Sequence, residues 1–294
     1  MTPSTDSEAD HGPLVWRNLT QQALDNAYDQ SVYAPNRLQI LNRYHANSDL
    51  TRQRLGAPRQ FRYGQGGKET LDVFSPPQAG APVNVFIHGG AWRSGTAAQY
   101  AFLADLFVNA GMHLVLPDFD WVQDRNSDLL PIADQVHRAI AWVAAHAGEF
   151  GGDSTQIYLS GHSSGAHFAG AALTSLPPGL IRGSLLCSGM YELEPVSLSA
   201  RSSYVNFSPA SLQQLSPMRV VDQIATPLVV AYGDHETPEF QRQSQDFFDA
   251  LKPRAASTEL IIARGYNHFE VLETMASPYG LLGDAVLRQM LHRG

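Results

Sequence analysis

The chain has 294 residues, a formal charge of −8, 44% apolar residues and only 16% charged ones. That composition excludes a coiled coil, a disordered acidic protein and a basic nucleic-acid binder, which would need excess cations to neutralise phosphates. A single cysteine, Cys187, excludes an internal disulfide and any multi-cysteine metal cluster.

The N-terminal stretch MTPSTDSEADHG is acidic and polar, with neither the basic nor the apolar region of a signal peptide. Residues 1–18 read as a flexible tail and 19–294 as one domain. No apolar run approaches the ~18 residues of a membrane helix, so a cytoplasmic protein with no membrane partner is expected. Residues 19–28 (LTQQALDNAY) read as a helix capped by Asn18. Short apolar runs follow, at Gln60–Tyr63, Leu71–Phe74, Val83–Ile87, His113–Pro117, Ile157–Ser160, Leu185–Ser188, Leu228–Tyr232 and Glu259–Ala263. The first two flank GQGGKE, which suits a hairpin turn. The later ones are continuously apolar, as strands covered on both faces are. Between them, Ile132, Val136, Ile140 and Val143 mark one face of a helix over 131–147, and Phe240, Phe247, Phe248 and Leu251 mark another. A small-residue helix over 164–175 stops before Pro177-Pro178. This alternation predicts a mostly parallel, eight-stranded, doubly wound α/β sheet with right-handed crossovers. The Ser/Pro-rich stretch 190–222 interrupts it and reads as a small lid or cap insertion.

Gly161-His162-Ser163-Ser164-Gly165 follows the strand QIYLS and opens the small-residue helix. That is the context of a nucleophile elbow, in which glycines permit a sharp turn and Ser163 is raised above the sheet. His88-Gly89-Gly90-Ala91-Trp92 follows the strand VNVFI. The backbone N–H groups of Gly90, Ala91 and Ser164 are the candidate oxyanion-hole donors. His88 reads as a brace for this loop, and Trp92 as a pocket wall or a core residue. A triad needs an acid and then a histidine further along. His268 lies just after the last strand. Spacing favours Glu236, three residues past Gly233, as the acid, with Asp234, one past it, as the alternative. Among the aromatics, Tyr191 of the insertion joins Trp92 as a candidate substrate contact, and His162 joins them from the elbow. Cys187, at a strand end, reads as a buried packing residue. No HExxH motif occurs, and His162 and His167 are five residues apart rather than the four that place two ligands on one helix face. Neither metal nor cofactor is expected.

Several segments together resemble the arylformamidase (kynurenine formamidase) branch of the α/β-hydrolases. HGGAW resembles its HGGxW oxyanion motif and GHSSGAHFAG its GHSAGAHLA elbow; CSGMYELEP resembles SGxYDLEP, GDHETPEFQRQS its carboxylate-SPEFxRQS loop, and NHFEVLE its HFxIxE segment. The resemblance spans about residues 70 to 276. It implies Ser163 as nucleophile, His268 as base and Glu236 as acid, with glutamate standing where the family has aspartate. DFDWVQD at 118–124 departs from the family's Tyr-Arg-Leu-Ala-Pro-like run, which places Asp120 and Trp121 as candidate pocket residues. The function implied is serine hydrolysis of a small, aromatic amide or ester, an N-formyl arylamine such as N-formyl-kynurenine. The alternatives are a small-ester carboxylesterase of the hormone-sensitive-lipase-like type and a catalytically inactive hydrolase fold used for binding. A homodimer is left open.

Overall fold

The computed structural model describes residues 12–253 and 257–291. Residues 1–11 of the expected tail lie outside the described residues. The remainder of that segment is ordered into structure. β1 (Leu14–Trp16) pairs antiparallel with β2 (Leu19–Thr20), because Val15, Trp16 and Leu19 pack on the core. The first helix, α1 (Gln21–Ala27), accordingly starts later than expected. Its cap is Thr20, whose hydroxyl accepts from the Ala23 amide at 3.3 Å, and not Asn18. Two more helices follow, α2 (Gln30–Tyr33) and α3 (Arg37–Leu55).

All eight expected strands form one sheet. They are β3 (Arg59–Arg62), β4 (Thr70–Phe74), β5 (Ala81–Ile87), β6 (His113–Pro117), β7 (Gly152–His162), β8 (Ile181–Cys187), β9 (Leu228–Gly233) and β10 (Thr258–Ala263). Their spatial order is β10-β9-β8-β7-β5-β6-β4-β3. Only the β3–β4 and β4–β6 pairs are antiparallel. The interleaved helices are α4 (Ala104–Asn109), α5 (Leu130–His146), α6 (Ser164–Leu173), α7 (Glu194–Ser197), α8 (Pro209–Gln214), α9 (Pro238–Leu251), α10 (Glu270–Glu273) and α11 (Leu281–Leu291).

Alternation along the strands feeds two separate cores. Val83, Val85 and Ile87 of β5 belong to the core packed with α5 and α6, while Phe86 belongs to the other core with Tyr100, Phe102 and Phe107. Each fully buried phenylalanine, such as Phe86 or Phe247, contributes about 2 kcal/mol of burial free energy. The helix α3 was not visible in the sequence pattern. Its buried stripe is Ile40, Tyr44, Ser48 and Thr51, half of it polar. Those hydroxyls are satisfied by partners far along the chain: Ser48 donates to the Gln99 carbonyl, and Thr51 to Asp105. Among the described residues, no helix is long and apolar enough to cross a membrane.

Candidate active site

β7 ends at His162 and α6 begins at Ser164, leaving Ser163 in the turn at φ 58° and ψ −126°. A serine held there costs of order 1–3 kcal/mol. The surrounding structure fixes it. Its amide donates to the Cys187 carbonyl at 2.9 Å, and a Cβ on Gly165 would lie 2.0 Å from the Ile87 carbonyl oxygen, so only glycine lets α6 sit this close to β5.

His268 follows β10 and turns back over the strand ends. Its Nε2 lies 2.9 Å from Ser163 Oγ, and its Nδ1 lies 2.6 Å from Glu236 Oε2. All three side chains are buried. The carboxylate has further donors. Glu236 Oε1 accepts from the Ser188 hydroxyl at 2.6 Å and the Gly233 amide at 2.7 Å, and Oε2 accepts from Gln30 Nε2 at 3.2 Å. A buried charge requires this degree of hydrogen bonding. Asp234 points elsewhere: its Oδ1 accepts from the Gly265 amide at 2.6 Å and closes the turn after β10. Glu236 is therefore the carboxylate that reaches the imidazole.

The HGGAW loop curls through three successive positive-φ residues, Gly90, Ala91 and Trp92. At Gly90, φ is 132° and a Cβ would lie 1.9 Å from the Ser94 carbonyl oxygen. The Gly90 carbonyl is occupied by the amides of Arg93 and Ser94, whereas the amides of Gly90 and Ala91 have no acceptor among the described residues. Ser164, first in α6, also presents an amide that the helix cannot satisfy. His88 braces the loop, with Nδ1 donating to the Gly89 carbonyl at 2.9 Å and its ring stacked on Phe119 at 4.4 Å. His162 donates through Nε2 to the His268 carbonyl at 2.8 Å, which orients the histidine loop from behind. Burial, with His268 second, holds the His162 pKa well below the ordinary value, so the ring stays neutral. Burial pushes the Cys187 thiol up, with Glu236 adding to it, which makes Cys187 a packing residue.

Ser163, His162 and His268 open into a cavity of about 610 Å³. Gly90 and Ala91 line it as well. The other four expected substrate contacts do not. Trp92 is buried, donating from Nε1 to His167 Nδ1 at 3.2 Å. Tyr191 is fully buried and stacks on Phe247 at 4.1 Å. Asp120 is ion-paired with Arg125 and accepts from Gln135. Trp121 donates to the Gly95 carbonyl, with the Lys68 ammonium 3.7 Å from its ring centroid. Each of these has its polar group satisfied by the scaffold, so none is left to meet a ligand. The cavity walls come instead from the N-terminal helices (Tyr28, Gln30, Tyr44) and from the insertion (Arg201, Tyr204). α3 also holds the histidine loop. Asn36, at its N-cap, accepts from Asn267 at 2.9 Å and donates to Glu270 at 2.7 Å, and the Tyr44 hydroxyl donates to the Phe269 carbonyl. The sequence carried no periodic signal for these residues. Ser188 alone stood inside a noticed motif, CSGMYELEP, and its φ of 57° aims its hydroxyl at Glu236.

A serine on a strand–turn–helix elbow, with an imidazole and a carboxylate supplied after later strands of a mostly parallel sheet, defines an α/β-hydrolase. The model of the BD-FAE family matches residues 71–177. The sequence is 30% identical to a kynurenine formamidase of Salmo salar over 247 residues, which cover 78% of this chain and 79% of the relative. It is 25% identical to a kynurenine formamidase of Danio rerio over 302 residues, covering 94% and 98% of the two chains. A solved structure of a putative thioesterase from Silicibacter sp. TM1040 is similar with a TM-score of 0.78 and 25% identity, covering 88% of this chain and 97% of that one. The chain belongs to the kynurenine formamidase family, and it is a hydrolase acting on ester or amide bonds.

Proposed function

We propose that the chain hydrolyses N-formyl arylamines, N-formyl-kynurenine among them, with Ser163 as nucleophile, His268 as general base and acid, and Glu236 as the orienting carboxylate. The observation that carries this reading is the unbroken hydrogen-bond chain from Ser163 Oγ through His268 to Glu236 at the floor of the cavity, and the formamidase relatives supply the substrate class. Ser163 Oγ attacks the formyl carbon while His268 Nε2 takes the hydroxyl proton. The oxyanion that forms is met by the amides of Gly90 or Ala91 and Ser164, each donor being worth ~3 kcal/mol. Glu236 holds the imidazole tautomer and stabilises the imidazolium. Collapse breaks the C–N bond, and His268 returns its proton to the departing arylamine. Water, deprotonated by His268, then attacks the formyl ester on Ser163 and releases formate. No step calls for a metal or cofactor. In the same reading residues 19–294 act as one cytoplasmic hydrolase domain, capped by 190–222 together with α1–α3.

The test is kcat/KM for N-formyl-kynurenine against 4-nitrophenyl acetate, in the wild type and in Ser163→Ala. Both activities are expected and both should vanish in the variant. Fast ester turnover beside negligible formamide turnover would replace this reading with a small-ester carboxylesterase.

A further inference from the structure

Arg201 lies in the 3₁₀ turn Ala200–Ser203 of the insertion and lines the same cavity as Ser163. It is only 9% exposed. No carboxylate lies within 4 Å of it among the described residues, although a buried guanidinium is ordinarily paired. Its partners are neutral. Nε and Nη2 both donate to the Tyr28 carbonyl, at 3.3 and 2.9 Å, and Nη1 donates to the Tyr204 hydroxyl at 3.2 Å. The rings of Trp92 and Phe240 lie 5.5 and 5.9 Å from the guanidinium carbon.

A guanidinium carries five N–H groups. The Nε side is spent on the Tyr28 carbonyl. One N–H on Nη1 and one on Nη2 have no acceptor among the described residues, enough for a carboxylate to engage both nitrogens. The two acids of the cavity wall direct their hydrogen bonds elsewhere, although Asp29 also feels Arg37 and Arg201 electrostatically at longer range. Asp25 Oδ1 accepts from the Ala200 amide at 2.6 Å and from Gln21 at 2.9 Å, and Asp29 Oδ1 caps Ser31 through its amide and hydroxyl. Two further arginines, Arg37 and Arg93, line the cavity without an ion pair, in a chain whose net charge is −8. A buried cation of this kind, with N–H groups unspent and Ser163 on the same cavity, is suited to receive an anion brought by the substrate.

We propose that Arg201 recognises a carboxylate on the leaving-group side of the substrate, so that the enzyme selects aryl formamides or esters bearing an acid over their neutral counterparts. The formyl group itself is too small to need the cavity, so the arylamine portion has to fill it. This inference rests on the assignment of Ser163 as nucleophile, and the two fail differently: absence of Ser163-dependent turnover of 4-nitrophenyl acetate removes the mechanism, whereas turnover without acid selection removes only the role of Arg201.

The experiment compares N-formyl-kynurenine with its primary carboxamide, which keeps the scissile bond and the ammonium but lacks the carboxylate charge. The wild type is expected to favour the acid by about tenfold or more in kcat/KM, chiefly through KM. Arg201→Gln should bring the acid-to-amide ratio close to one, and Arg201→Lys, which keeps the charge but not the fork, should restore part of it. Arg201 also ties the insertion to Tyr28. If that were its whole role, both substrates would lose equally and the ratio would stand, which overturns the proposal. A third arm needs no variant. In the wild type, kynurenine should inhibit 4-nitrophenyl acetate hydrolysis at least several-fold more tightly than kynurenine carboxamide, and equal inhibition overturns the proposal even where Arg201→Gln fails to fold.

Discussion

The floor and the roof of the cavity are built on different principles. The floor consists of strand ends: the β5 loop, the β7–α6 elbow, the turn after β9 and the loop after β10. Its groups are set by backbone positions that tolerate little change, such as Ser163 at φ 58° and Gly165 against the Ile87 carbonyl. The roof consists of α1–α3 and the insertion between β8 and β9, held by side-chain bonds between segments distant in sequence, such as Arg201 to Tyr28 and Asn36 to Asn267. On the proposed reading, bond-breaking chemistry falls to the floor and substrate choice to the roof, and the joints between the two are where one would influence the other.

The sharpest ways to break that separation lie on the floor. Ser163→Ala is expected to lower kcat by about 10⁵-fold or more, since the remaining groups supply only oxyanion binding and positioning; turnover of N-formyl-kynurenine and of 4-nitrophenyl acetate measures it. Glu236→Gln should cost about 10⁴-fold, because an amide there stabilises the wrong imidazole tautomer and no imidazolium. Asp234→Asn should leave kcat within about threefold, because its carboxylate closes a surface turn rather than meeting His268. The reverse ranking of these two carboxylates would overturn the assignment of the floor.

The sequence made the floor legible because each of its constraints is local. A strand, a two-glycine turn and a helix start occupy consecutive residues, so HGGAW and GHSSG announce their geometry. Even the choice between Asp234 and Glu236 follows the spacing from Gly233, and Glu236 is the one within reach of His268. The sheet was legible for a related reason: continuous apolar runs match the C-terminal ends of β5 through β10 to within two residues, although β7 and β8 begin five and four residues before their runs. The roof was less legible: the sequence suggested a helix over 19–28 and a cap over 190–222, but nothing in it marked α2 or α3. α3 buries Ser48 and Thr51 where an apolar stripe would have revealed it. Tyr191 was expected at the substrate, and Trp92 either there or in the core; both are core residues. Their places on the cavity wall are taken by Tyr28, Tyr44 and Tyr204, which come from segments with no motif.

A joint between the two parts should respond to acid. His167 of α6 accepts from Trp92 Nε1 at Nδ1 and donates from Nε2 to the Leu215 carbonyl of the insertion. The Trp92 bond requires the neutral ring, because a proton on Nδ1 would face the indole N–H, whereas the Nε2–H bond to Leu215 is open to either form. Burial lowers its pKa to about 4. The unfolded chain takes up that proton near 6.5 and the folded chain only near 4, so the unfolded state binds more protons between the two values. Stability is fully present above about 6.5 and is lost as the pH falls toward 4, by about 3 kcal/mol from this group. Urea midpoints at pH 7.5 and 4.5 should show the loss, and His167→Gln should flatten it. An unchanged pH slope in that variant would remove His167 as the cause.

A smaller effect than those of Ser163 and Glu236 tests whether the roof reaches into the chemistry at all. Gln30 belongs to α2, yet its amide donates to Glu236 Oε2 at 3.2 Å, while its carbonyl oxygen accepts from the Thr237 amide at 3.4 Å. It is buried and lines the cavity. Removing one of several donors to a buried carboxylate costs about 1–2 kcal/mol, so Gln30→Ala should lower kcat about tenfold. If Gln30 acts through Glu236, KM for 4-nitrophenyl acetate should change little, because the small ester does not depend on the cavity wall. A rise in KM at unchanged kcat would make Gln30 a wall residue and leave the floor independent of the roof. A fall in kcat at constant KM would show that the N-terminal helices, which carry no catalytic motif, hold the acid in position.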